Sequence, residues 1–140
     1  MADYKHNRLE IRGSKRNVKQ VRKFLSSGKM DDKGVFIPDM NQIVKNNQGV
    51  ELTDCCWVSD TWYESATVVN FLTVNGDGLG LAKKLSTHFK NLVFVLDYEL
   101  AYHLPDYRRV FLENGEIKQS FICTEEEPEF EETKEMAATY

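Results

Sequence analysis

The periodicity of this chain changes in a fixed order, and that order constrains its fold more than any other feature. From Tyr4 to Ile11 the pattern is strand-like, a weak alternation that firms up at Leu9-x-Ile11. Gly13 breaks the strand and Ser14 is a good N-cap for an amphipathic helix that runs to Ser27. Val18, Val21, Phe24 and Leu25 make its apolar stripe, Lys15, Lys19, Arg22 and Lys23 fall on the other side, and Gly28 is the expected left-handed cap. Leu52 to Asp60 and Ala66 to Val74 are rich in β-branched and aromatic residues and read as a hairpin joined through Trp62-Tyr63-Glu64-Ser65. A second helix follows from Leu79 to Phe89, with Leu81, Ala82, Leu85 and Phe89 at helical spacing. Leu92 to Tyr98 then opens on a continuous apolar run, as a strand buried on both faces requires.

The sequence of elements is therefore β-α-β-β-α-β, the split βαβ arrangement of ferredoxin-like folds: an α+β domain, one sheet with two helices on one face. Tyr107 to Leu112 and Glu116 to Cys123 flank Asn114-Gly115, a strong two-residue hairpin signal, so a C-terminal β-hairpin is expected to extend the sheet. Residues 1–123 form the domain, and residues 124–140 read as an acidic tail, disordered or loosely helical. Between the first helix and the second strand lies a long insertion, Lys29 to Val50, anchored by Val35-Phe36-Ile37-Pro38.

A chain of 140 residues suits one domain with a full core. No run approaches the roughly 20 apolar residues that span a bilayer, and the first residues have no apolar leader, so a cytoplasmic protein without a membrane partner is expected. Cys55 and Cys56 are neighbours and Cys123 stands apart, a pattern of reduced structural thiols rather than of a disulfide framework or a zinc site. The net charge of −4 is segregated, with basic residues crowded before Met30 and acidic ones from Glu113 onward. Such asymmetry points to a basic binding face or an acidic interaction tail.

No constellation demands chemistry. Gly76-x-Gly78-x-Gly80 precedes a helix but lacks the third glycine of a dinucleotide fingerprint and the Gly-Lys-Ser/Thr of a P-loop, so it reads as a turn. His6, His88 and His103 are scattered, without the spacing of a metal or general-base pair. Asp54, Asp60 and Glu64 near Trp57 and Trp62 could form a sugar or base pocket, although hairpin decoration is the plainer account. No catalytic residue, cofactor or metal is assigned. The basic first helix raises nucleic acid as a ligand, but the RNP1 motif of ferredoxin-like RNA-binding domains is absent and the chain is acidic overall.

Asn7-Arg8-Leu9-x-Ile11-x-Gly13, Phe36-Ile37-Pro38, Trp57, Phe71-x-Thr73, Leu85-Ser86-x-x-Phe89-x-x-Leu92-x-Phe94 and Asn114-Gly115 together resemble the Api-like ferredoxin-like family of phages and other mobile elements. After Thr73 that family tends to carry a tryptophan and prolines, where Val74-Asn75-Gly76-Asp77-Gly78 stands here. The resemblance implies the fold and a setting in a bacterial host cell; it implies no catalytic residues. The resulting expectation is a non-enzymatic binding protein acting on a host protein or nucleoprotein complex, for example a stoichiometric, anti-CRISPR-like inhibitor of a bacterial defence complex. It would work by occluding a basic nucleic-acid channel with carboxylates. Its contact candidates are Glu125, Glu126, Glu127, Glu129, Glu131 and Glu132, then Asp54, Asp60 and Glu64. The alternatives are a nucleic-acid-binding accessory protein using Lys15, Lys19, Arg22 and Lys23, or a small-ligand or nucleotide-binding protein using the glycine turn and the Trp57/Trp62 hairpin.

Overall fold

A computed structural model describes residues 4–26, 29–40, 57–74, 76–100 and 106–123. In chain order the elements are β1 (Tyr4–Arg12), α1 (Lys15–Leu25), β2 (Trp57–Tyr63), β3 (Val68–Val74), α2 (Leu79–His88), β4 (Val93–Glu99), β5 (Tyr107–Glu113) and β6 (Glu116–Cys123). The six strands form one sheet in the order β2-β3-β1-β4-β5-β6, and every neighbouring pair is antiparallel. The fold class is α+β. The six-strand order is not that of a bare four-stranded split βαβ unit, because β5 and β6 continue the sheet beyond β4.

Alternation along the strands sorts the side chains onto two faces. Leu9 and Ile11 of β1, Val69 and Phe71 of β3, Phe94 and Leu96 of β4, and Val110 and Leu112 of β5 share one core with Val18, Val21 and Leu25 of α1 and Leu81, Ala82 and Leu85 of α2. Val93, Val95 and Phe111 form a second, smaller cluster. Residues of β4 belong to both, which is why that strand reads as a continuous apolar run.

Several boundaries move. Trp62 and Tyr63 belong to β2 rather than to the turn, which falls at residues 64–67 and is closed by Glu64 and Ser65 N–H groups donating to the Val68 carbonyl. The first helix ends at Leu25, and Ser26, in right-handed helical conformation, serves as its cap. The expected glycine cap, Gly28, lies outside the described residues, as do the start of the predicted second strand and Cys55 and Cys56. Of the apolar anchor, only Phe36 is buried; Val35 and Ile37 are exposed, since successive side chains of an extended segment point opposite ways.

The Asn114-Gly115 hairpin forms as expected. Both residues take positive φ, 52° and 80°, as a type I′ turn requires, and the Gly115 N–H donates to Ser86 Oγ at 2.9 Å. The glycine turn before α2 is a packing device. A Cβ on Gly78 would lie 2.7 Å from the Phe71 ring and 2.8 Å from Asn7 Oδ1. Gly78→Ala is therefore expected to lower stability by about 1–3 kcal/mol through overpacking, measured by urea denaturation, with Gly76→Ala as a neutral comparison. Among the described residues nothing lies within 4 Å of a Cβ built on Gly76.

Candidate functional site: a cationic cleft beside the first helix

Ser14 starts α1, its hydroxyl oxygen accepting the Asn17 N–H at 3.2 Å. Burying Val18, Val21 and Leu25 turns one stripe of the helix to the core and leaves Lys15, Arg16, Lys19, Arg22 and Lys23 around the rest. Among the described residues none of these five cations is within ion-pair distance of a carboxylate. On the sheet the opposite holds: Arg8 meets Glu64, Arg12 meets Glu10 and Arg109 meets Asp97. Helix stability accounts for only part of this charge: Arg22 and Lys23 stand in the last turn, where the dipole favours cations, but the start of the helix gains nothing from its own. Lys15 and Arg16 occupy the first turn, where no acidic residue stands and where the helix dipole disfavours each cation by about 0.3–1 kcal/mol.

Beside this helix is a cleft of about 450 Å³. Lys15, Val18, Lys19 and Arg22 form one wall; Gly34, Val35 and Phe36 form another; Gly13, Ala66 and Thr67 close the end. The second wall is a small ordered turn. Asp31 Oδ1 accepts the N–H groups of Lys33 and Val35 at 2.8 and 2.9 Å, Gly34 takes φ +78°, and Met30 bridges to Phe36. The Asp39 N–H donates to the Leu25 carbonyl and ties the segment to the end of α1.

Arg22 is held in a particular way. Its guanidinium lies 4.5 Å from the centre of the Tyr63 ring, the Tyr63 hydroxyl donates to the Arg22 carbonyl at 3.3 Å, and burial pushes that hydroxyl's pKa up. The Arg22 Nε–H is buried and has no hydrogen-bond partner among the described residues. The charge is thus positioned by an aromatic face rather than neutralised by an acid.

Three of the four predicted nucleic-acid contacts, Lys15, Lys19 and Arg22, therefore meet at one cleft, while Lys23 is exposed and lies outside its lining. Of the predicted acidic contacts, Asp60 and Glu64 are described. Asp60 is exposed and accepts the N–H of Thr61. Glu64 is engaged on the sheet by Arg8, at 3.1 Å from its Nη2, and by Asn70 Nδ2 at 3.3 Å. Asp54, Glu125, Glu126, Glu127, Glu129, Glu131 and Glu132 lie outside the described residues, as do His103 and the side chain of Trp57.

Two scattered histidines find aromatic partners. His88 packs against Phe24 and Phe89. His6 lies parallel to the Trp62 ring, 5.7 Å between centroids, with its Nε2 2.7 Å from Asn70 Oδ1. Strand register adds a polar row that no spacing in the sequence announces: Trp62, Asn70, Arg8, Asp97, Arg109 and Phe121 are successive cross-strand partners from β2 to β6. The hydrogen bonds from Arg8 and then Asn70 hold the Glu64 carboxyl below its ordinary range. A depressed carboxylate pKa adds stability above the unfolded-state value that is lost as pH falls through the folded-state value. Carboxyl-detected NMR titration is expected to find Glu64 ionising below ordinary glutamates, and Arg8→Ala should raise it toward their range, with the Asn70 hydrogen bond left in place.

Among the described residues no group of three or more His, Cys, Asp or Glu side chains could hold a metal, and no helix is long and apolar enough to cross a membrane. What the cleft offers is recognition: fixed positive charge around an apolar floor. No family model, curated protein or solved structure matches the chain.

Proposed function

We propose that this chain is a non-enzymatic binding protein of a phage or mobile element, acting stoichiometrically on a host protein, with the α1 cleft as its working surface. The underlying unit is ferredoxin-like: β1-α1-β2-β3-α2-β4, with β1 between β3 and β4 and with β2 beyond β3, extended by the β5–β6 hairpin. The mobile-element setting rests on the Api-like resemblance. One observation carries the binding surface: the cations of α1 carry no ion pair among the described residues, and three of them surround an apolar cleft. Fixed, unspent charge steers and orients a complementary partner.

The same cations also support the nucleic-acid reading, so the experiment separates the two. Tagged full-length protein is used to capture partners from bacterial lysate with and without nuclease, beside Lys15→Glu/Lys19→Glu/Arg22→Glu and a variant with the acidic tail neutralised. The triple variant is expected to lose tenfold or more of one nuclease-resistant host partner while keeping its thermal midpoint within a few degrees. Loss of every partner on nuclease treatment would move the reading to nucleic acid. Loss with the tail variant alone would move the contact surface to Glu125, Glu126, Glu127, Glu129, Glu131 and Glu132.

A further inference from the structure

We infer that the α1 cleft receives an acidic amphipathic segment of the partner, with one apolar side chain on its floor and carboxylates on its rim. The inference rests on the protein-binding reading above and names the chemistry of what is bound. The rim is regular: Lys15, Lys19 and Arg22 stand at i, i+4 and i+7 on one helix, so they span about 10 Å at 1.5 Å per residue. Carboxylates at i and i+4 of a helix, or at i and i+2 of a strand, repeat at about 6–7 Å and can meet successive members of that row.

The floor separates this occupant from a nucleic acid. Val18, Val35 and Phe36 line the cleft, and a sugar-phosphate chain has no aliphatic group to seat there. Stacking a base needs an open ring face, whereas Phe36 is only 7% exposed. The apolar surface also continues outward. Val35 is 47% exposed, and Met30 and Ile37 on the same short segment are 52% and 44% exposed. A lipid surface fits less well, because the feature is concave. An acidic peptide with an apolar residue at its centre satisfies both halves of the site: it gives Arg22 and the two lysines acceptors and covers Val35.

The test pans a random dodecapeptide display library on immobilised full-length protein, then measures the enriched peptides by fluorescence anisotropy. The expected enrichment is for peptides with two or more acidic residues flanking an aliphatic or aromatic one. Lys19→Glu and Val35→Ser are each expected to weaken the best peptide on the order of tenfold, while Lys118→Glu, on β6, leaves it unchanged. Amide shifts on peptide addition should centre on Lys19, Gly34, Val35 and Thr67. Neutral or basic enriched peptides, or binding indifferent to both substitutions, would overturn the inference. Tighter binding by a twelve-nucleotide oligo(dT), or by phosphatidylserine vesicles, would overturn it in favour of those ligands. Lysate capture that depends on α1 while no acidic peptide enriches would refute this occupant and leave the binding-protein reading standing. Lysate capture unaffected by the α1 triple variant would refute the α1 cleft as the working surface, and this occupant with it.

Discussion

Asp97→Ala is expected to lower the stability of the domain by about 3 kcal/mol, the low end of the range for removing one partner of a buried ion pair. Asp97 is 9% exposed and sits in the cross-strand row between Arg8 and Arg109. Its two oxygens accept from Arg109 Nε at 2.6 Å and Nη2 at 2.7 Å, a fork-to-fork pair, and Arg8 Nη1 stands 4.0 Å away. Removing the carboxylate strands a guanidinium in a poorly hydrated position, and the charge left behind dominates the cost. In urea the midpoint should fall without a change of slope, and the thermal midpoint should drop by about 10 °C. The pair should also be dispensable as a pair. Asp97→Leu with Arg109→Met replaces both ends by apolar groups of similar bulk, and is expected to recover at least half of the loss. If the double variant is as unstable as the single one, the row holds the sheet by specific hydrogen bonding rather than by charge balance.

Much of the architecture was legible because it depends on short-range periodicity. The helix stripe of Val18, Val21 and Leu25, the apolar run of β4 and the Asn114-Gly115 turn each carry their instructions within a few residues. The edges of the β2–β3 hairpin were less so, since Trp62 and Tyr63 suit a strand or a turn flank equally until Tyr63 packs beneath Arg22. The basic half of the site was visible as charge on one helix face. Its apolar half was not, because Val35 and Phe36 are brought to α1 only by the turn that Asp31 and Gly34 organise. The row from Trp62 to Phe121 was hidden for a different reason. Its members come from six strands, and register is fixed by the whole sheet rather than by any local pattern.

Asn7 is the sharpest case of a role invisible in sequence, and its replacement is the second large effect. Alternation puts Asn7 in phase with Leu9 and Ile11 but gives it no task; in the structure it has no exposed surface and lies on their side of β1. Its Oδ1 accepts the Gly78 N–H at 2.8 Å, and its Nδ2 donates to Thr73 Oγ1 at 2.9 Å and to the Lys5 carbonyl at 3.2 Å. Gly78 has no side chain with which to cap α2, so Asn7 supplies from β1 an acceptor at that helix end. Asp77 Oδ1 supplies another, accepting the Leu79 N–H at 3.0 Å. Asn7→Ala leaves the Gly78 N–H short of its acceptor in a site closed to water, while the Thr73 hydroxyl keeps its bond to the Gly76 carbonyl. At about 1–3 kcal/mol for an unsatisfied buried group, the loss is expected to be about 1–3 kcal/mol. The loss should also be local in its dynamics. Amide exchange at residues 79–83 is expected to accelerate before that of β4, because the start of α2 loses its anchor while the sheet keeps its ladders. Asn7→Asp separates the two functions of the amide, since a carboxylate can still accept from Gly78 but cannot donate to Lys5, and it adds a buried charge. It should therefore be no better than alanine at neutral pH. A cost below about 1 kcal/mol for Asn7→Ala, with α2 exchanging as in the parent protein, would mean that water or Asp77 replaces the asparagine and that the glycine turn positions the helix unaided.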